Sequence, residues 1–262
     1  MTHLANYPGL ERKQRGLSLI ELMIAMLIGL FLMLGVTQIF INNQKTYLFQ
    51  QGQAGNQENG RFSLAVLSQE LNKAGYRSKP TTLFPAGTGQ NCTFPEGTSV
   101  IAVSATSLCI RYQAANKSDV NCQGAALASG DQDTILIPYR QLNPIVVEKI
   151  WFDSATNSIS CTTGTTTQQL VTGVTALNFE YGVGALANKE VTSYSTTPTD
   201  TIGAVRYSVL MQSPGTASLR DSTTATSKAL SEWNSRFNAS LPESNQIYQL
   251  VQGTTMIRNQ MQ

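Results

Sequence analysis

Arg15-Gly16-Leu17-Ser18-Leu19-Ile20-Glu21 leads directly into fifteen residues, 22–36, that carry no charge. The stretch places one carboxylate at the start of an otherwise membrane-compatible helix. An ionised acid in hydrocarbon costs about 2.5–3.5 kcal/mol on insertion scales, so Glu21 needs a named partner. The obvious one is a free α-amine created by proteolysis next to Gly16. Residues 17–41 give 25 mostly apolar positions. At 1.5 Å per residue that is about 37 Å of helix, enough to span a bilayer with some tilt.

The flanks distinguish a retained anchor from a cleaved signal. A secretory signal has a shorter apolar region closed by a small-residue cleavage site. Here the run leaves through Thr37-Gln38-Ile39-Phe40-Ile41-Asn42-Asn43, with no such site, so the helix is expected to stay in the mature protein. Arg12, Lys13 and Arg15 precede it against Glu11 alone. By the positive-inside rule this holds the N-terminus in the cytoplasm and sends everything after residue 41 across the membrane.

Charge and histidine content narrow the function classes. The chain has 18 Lys and Arg against 16 Asp and Glu, and the leader through Gly16 holds three of the bases and one of the acids. The remainder is neutral overall, which gives little support for nucleic-acid binding. His3, the one histidine, lies in that leader. A processed chain then has no imidazole for Ser-His-Asp or Cys-His catalysis or for most zinc chemistry, and no enzymatic activity is expected. No cofactor or metal is expected either. Asp131-Gln132-Asp133 has oxygen ligands suited to calcium, but reads better as a surface turn after Gly130.

Cys92, Cys109, Cys122 and Cys161 all fall on the translocated side, where an oxidising compartment favours disulfides. Their spacing lacks the short Cys-x-x-Cys steps of zinc knuckles. Three pairings are open. Cys92 with Cys109 and Cys122 with Cys161 is preferred because each then closes a local loop or joins neighbouring strands.

Residues 42–76 contain no proline, and Leu64, Leu67, Leu71 and Ala74 share one helical face. They read as the amphipathic continuation of one long helix. Gly52, Gly55 and Gly60 are expected to bend or fray it, at up to about 1 kcal/mol each. Gly75 and Pro80 mark its end. Beyond, the chain turns to Thr, Ser and Gly with short apolar runs, and 108–113, 134–138, 146–152, 171–181, 204–212 and 246–257 are strand candidates. Residues 150–161 read as a hairpin, and 185–201 and 214–230 as long loops.

Gly16-Leu17-Ser18-Leu19-Ile20-Glu21-Leu22, behind a basic leader, resembles the processing motif of type IV pilins and type II secretion pseudopilins. The resemblance implies that prepilin peptidase cuts after Gly16 on the cytoplasmic side and methylates the new N-terminal Leu17, where the family usually has Phe. It further implies that Glu21 of one subunit meets the Leu17 amine of its neighbour in the fibre core. Such a buried pair sets register more than it adds stability.

Further markers are Gly60-Arg61-Phe62, Leu67, Glu70-Leu71, Ala74-Gly75-Tyr76, Leu170-Val171-Thr172-Gly173-Val174, Glu180-Tyr181-Gly182, Ala204-Val205-Arg206-Tyr207 and Met256-Ile257-Arg258-Asn259. Together they resemble the PilW family of minor pilins, although the first cysteine comes later here than is common there. The fold so implied is α+β and pilin-like: a long N-terminal helix, membrane-spanning first and amphipathic second, on a C-terminal antiparallel β-sheet domain. The expected parts are a leader 1–16, a transmembrane and fibre-core helix 17–41, its continuation 42–76 and a disulfide-bonded domain 77–262.

The implied function is a minor pilin near the pilus tip, an inner-membrane protein before assembly and extracellular after it. Its implied partners are other minor pilins, the major pilin and a PilY-like adhesin, in support of pilus assembly, twitching motility and adhesion. The alternative is the J-type minor pseudopilin of a type II secretion system.

Overall fold

A computed structural model describes residues 16, 18–116, 118–126, 144–184, 189–213, 219–220 and 226–260. The expected strand at 134–138, the Asp131 and Asp133 pair, Leu17 and parts of both expected loops lie outside these. The chain divides into two units, Met1–Leu48 and Phe49–Gln262, and helix α1 (Leu19–Lys73) runs through the division.

In the first unit every described side chain of α1 is exposed. The helix is long and apolar enough to cross a membrane, with a mean hydropathy of 2.6 in its most apolar window and none of that window buried. Thr37 donates to the Met33 carbonyl at 2.8 Å, so this hydroxyl is satisfied within the helix itself.

In the second unit the apolar face of α1 forms one wall of the core. Leu67, Leu71 and Ala74 are buried, with Leu64 partly so, on the face given by their spacing. The glycines depart from expectation: helical hydrogen bonding continues through all three. Gly52 and Gly60 are buried, and a Cβ on Gly60 would lie 3.0 Å from Val251 Cγ1. A Cβ on Gly52 would meet Leu219 at 2.9 Å and Ser213 at 3.2 Å. Between them Asn56 donates to the Ile247 carbonyl at 2.7 Å. Gly60 is small because β11 comes close, and Gly52 because the chain flanking β10 and β11 does. After Lys73, Gly75 adopts φ +77° and its N–H donates to the Arg111 carbonyl at 3.0 Å, turning the chain onto the sheets.

The strands are β1 (Gly87–Gly89), β2 (Cys92–Phe94), β3 (Val100–Ser104), β4 (Ser107–Gln113), β5 (Ile145–Asp153), β6 (Ser158–Thr163), β7 (Thr166–Thr172), β8 (Val174–Val183), β9 (Ser193–Ser195), β10 (Ile202–Gln212) and β11 (Tyr248–Met256). All described pairings are antiparallel. They form a hairpin β1-β2, a five-stranded sheet β3-β4-β5-β6-β7 and a four-stranded sheet β11-β10-β8-β9. The core is continuous across both larger sheets and α1, joining Leu108, Ile110, Ile150 and Ile159 to Leu177, Phe179, Tyr181, Val205, Val209 and Met211. Tyr181 and Tyr207 belong to it.

Three expectations need correction. The run 171–181 is not one strand: Gly173, at φ +75°, ends β7 and opens β8, so the chain changes sheets at a residue without a Cβ. The expected loop 185–201 contains β9, paired to β8 through Tyr194 and Gly182. The expected loop 214–230 runs into a second helix, α2 (Lys228–Phe237). Its Leu230 and Trp233 form a separate cluster with Leu210 and Tyr248 on the opposite face of the four-stranded sheet. Alternation along β10 supplies both faces, with Val209 and Met211 on the main core and Leu210 under α2.

A bulky residue at Gly60 should therefore push α1 off β11. Gly60→Leu is expected to destabilise the domain by about 1–3 kcal/mol, seen as a lower urea midpoint. An unchanged midpoint would show that the helix does not approach the sheet this closely.

Candidate assembly site

Ser18 precedes the first helical residue and Glu21 lies in the first turn of α1. This is the Ser-x-x-Glu spacing of a capping box, in which the acid at the third helical position reaches back to the N–H at the cap. Half of that box is present: the Ser18 N–H donates to Glu21 Oε2 over a long 3.4 Å, and Leu22 N–H closes onto the Ser18 carbonyl at 3.1 Å. Negative charge is favoured at this helix end by the unsatisfied N–H groups. Within a single chain, Glu21 thus has a local partner, one that the Ser-x-x-Glu spacing could have signalled. Gly16 is exposed, with no neighbouring atom within 4 Å of where a Cβ would stand.

The domain's polar centre was not anticipated. Glu148, on β5, is fully buried. Its Oε1 accepts from Tyr112 Oη at 2.7 Å and from the Cys122 N–H at 2.8 Å. Its Oε2 has no hydrogen-bond partner among the described residues. From α1, Lys73 pairs with Glu70 at 2.6 Å, donates to the Val120 carbonyl at 3.2 Å and lies 5.7 Å from the centre of the Tyr112 ring. The end of α1, strands β4 and β5 and the loop carrying Cys122 thus meet around one carboxylate. Burial and the nearby Glu70 push Glu148 up from 4.5 to about 7, against the opposing pull of Tyr112, Lys73 and the Cys122 N–H. Burial and the same carboxylate push the Tyr112 hydroxyl up.

The four cysteines form two disulfides, Cys92–Cys109 and Cys122–Cys161. The first ties the β1-β2 hairpin to β4 and the second ties the 118–126 loop to β6. Arg111, also unanticipated, holds the hairpin from the side. Its guanidinium lies 4.8 Å from both the Phe84 and Phe94 ring centres and donates to the carbonyls of Thr98, Pro85 and Pro95. Burial lowers it to about 10, so it remains a cation near neutrality.

The comparisons accord with this anatomy. Residues 148–259 match the family model for type IV pilus-assembly protein W, and residues 12–37 match the prokaryotic N-terminal methylation motif. A type IV-like pilin from Thermus thermophilus is similar in structure, at 11% identity and a TM-score of 0.43, over 78% of this chain and 95% of that chain. No curated protein matches the chain. The methylation motif falls across the start of α1, and the matched assembly-protein region runs from β5 to residue 259. Over residues 148–259 the chain is similar to PilW-type pilus-assembly proteins, and over residues 12–37 to N-methylated prokaryotic proteins. The families matched are structural pilins.

Glu148 gives the domain a signed pH response. Between about pH 4.5 and 7 the folded state holds a proton that the unfolded chain has released. The resulting stabilisation is complete below the unfolded value and is lost as pH rises through about 7, on the order of 3 kcal/mol. Urea midpoints at pH 5 and pH 7.5 should show a larger loss for the wild type than for Glu148→Gln. Parallel losses would remove Glu148 as the cause.

Proposed function

We propose that this protein is a minor pilin, cut by prepilin peptidase after Gly16, methylated at Leu17, and held in the inner membrane with its N-terminus cytoplasmic and its disulfide-bonded domain periplasmic. It then enters a type IV pilus through α1. There Glu21 exchanges its weak local contact with the Ser18 N–H for the α-amine of Leu17 on a neighbouring subunit. The observation that carries the reading is Glu21 itself, an acid heading a helix whose apolar length is exposed and finds no burial among the described residues. An ion pair in the dry fibre core fixes the axial position of one subunit against the next, since a mismatched register strands two charges.

Near the tip the subunit joins other minor pilins and a PilY-like adhesin in a complex that primes assembly of the major pilin, supporting twitching motility and attachment. A subunit at the summit has no neighbour above it for this carboxylate. Possession of Glu21 therefore supports a place just below.

Capping and intersubunit pairing can be separated. Glutamine serves a capping box nearly as well as glutamate but carries no charge. Glu21→Gln should be processed and inserted normally yet incorporate poorly into sheared pili, as measured by immunoblot. Normal incorporation would refute the charge-pairing role. Gly16→Leu should leave the leader attached, and a mature N-terminus at Leu17 in that variant, read by mass spectrometry, would contradict the assigned cut.

A further inference from the structure

The two disulfides stand in chemically different surroundings. Cys92–Cys109 clusters with Phe94, Ile101 and Val147, and the cross-strand neighbour of Cys109 is Lys149, a half-buried cation. A cation favours thiolate without taking up a proton. Cys122–Cys161 lies beside an acid: both sulfurs and a carboxylate oxygen of Glu148 fall within 4.8 Å of one another. Cys161 is fully buried and Cys122 nearly so, at 8% exposure. Once the sheets have formed, the thiol proton of Cys161 has no direct way to water.

The groups facing this site are Glu70 and Lys73 from α1, Tyr112 from β4, Glu148 from β5 and the Cys122 N–H. Lys73 and Glu70 are paired with each other, and Tyr112 already donates its proton to Glu148 Oε1. Among them Glu148 Oε2 is the buried oxygen with no hydrogen-bond partner among the described residues. A neutral polar side chain would hold the Cys122 N–H and the Tyr112 hydroxyl equally well. The second, unpartnered oxygen is what a carboxylate adds.

We propose that Glu148 is the proton acceptor through which Cys122 and Cys161 are joined in the already folded domain, whereas Cys92 and Cys109 close without it. The oxidant is a disulfide, small or carried by a protein. The thiolate of Cys122, the more exposed of the pair, attacks one oxidant sulfur, forming a mixed disulfide and releasing one oxidant thiolate. Glu148 takes the proton of Cys161, whose thiolate attacks the Cys122 sulfur. The internal S–S bond forms, the mixed one breaks and the second oxidant thiolate leaves. The cysteines lose two electrons to the oxidant, and their two protons end on its two thiolates, the one from Cys161 by way of Glu148. Tuning of Glu148 toward neutrality by burial suits it to both halves of this transfer. Closure ties the 118–126 loop, and with it the Val120 carbonyl under Lys73, to β6. This bond is then the last step in fixing the end of α1.

The test uses the full chain in detergent, reduced under conditions that preserve its near-ultraviolet circular dichroism and reoxidised with glutathione disulfide. Each pair is followed by acid-quenched alkylation and mass spectrometry. At pH 7.5, Glu148→Gln should slow Cys122–Cys161 closure at least tenfold and leave Cys92–Cys109 unchanged. The wild-type rate should carry an inflection near neutrality that the variant lacks. Tyr112→Phe keeps the carboxylate but removes a hydrogen bond to its charged form, so it should move that inflection to higher pH, a readout independent of whether Glu148→Gln folds. Equal slowing of both pairs, no slowing of either, closure only in chains that have lost their near-ultraviolet signal, or an unmoved inflection in Tyr112→Phe would overturn the proposal.

Discussion

One helix has to satisfy two environments, and the domain is arranged around that constraint. The first part of α1 is apolar on every side and, among the described residues, none of it is buried. From Gly52 onward the same helix is one-sided, with its apolar face in the core. Within the second unit the helix is unbroken through Gly52, Gly55 and Gly60. It is fitted to the domain by removing side chains at Gly60, where β11 comes nearest, and at Gly52, beside Leu219, Ser213 and Ile247, and by the Asn56 hydrogen bond to Ile247 between them. Each glycine lowers intrinsic helix stability by about 1 kcal/mol, a loss that sheet contact on a buried face offsets.

The far end of the helix is secured by polar groups. Lys73 reaches the Val120 carbonyl, Gly75 hands its N–H to Arg111, and Asn259 donates to the Ala74 carbonyl at 3.2 Å. The buried Glu148 stands behind this junction, gathering Tyr112 and the Cys122 backbone. The two disulfides then fix irregular chain, the β1-β2 hairpin and the 118–126 loop, against regular strands. The cross-links hold both segments to the sheet, and the Arg111 stack adds to the hold on the hairpin.

How much of this was legible in the sequence varied with the physical signal. The buried face of α1 was readable because Leu64, Leu67, Leu71 and Ala74 repeat at helical spacing, and strands β4, β5 and β10 because they are apolar runs of strand length. Helix α2 was obscured because Leu230, Trp233 and Phe237 are its only large apolar residues in a stretch of Ser, Thr and Lys. Strand β7 begins Thr166-Thr167-Gln168-Gln169 and shows no alternation until Leu170. The glycines of α1 were misread because propensity is local while the approach of β11 is not. Glu148 and Arg111 carry no sequence signature at all. A charged residue inside a strand looks like an exposed one until the elements that enclose it are known.

The contact between Glu21 and Ser18 bears on what kind of event fibre growth is. Within the single chain, Glu21 is not a naked ion waiting for neutralisation. It is loosely parked on its own backbone. Recruitment in the proposed fibre is then a change of partner between two occupied states. A filament joined in this way can be dismantled by the same exchange, with every released protomer able to fold its acid back onto its own helix end.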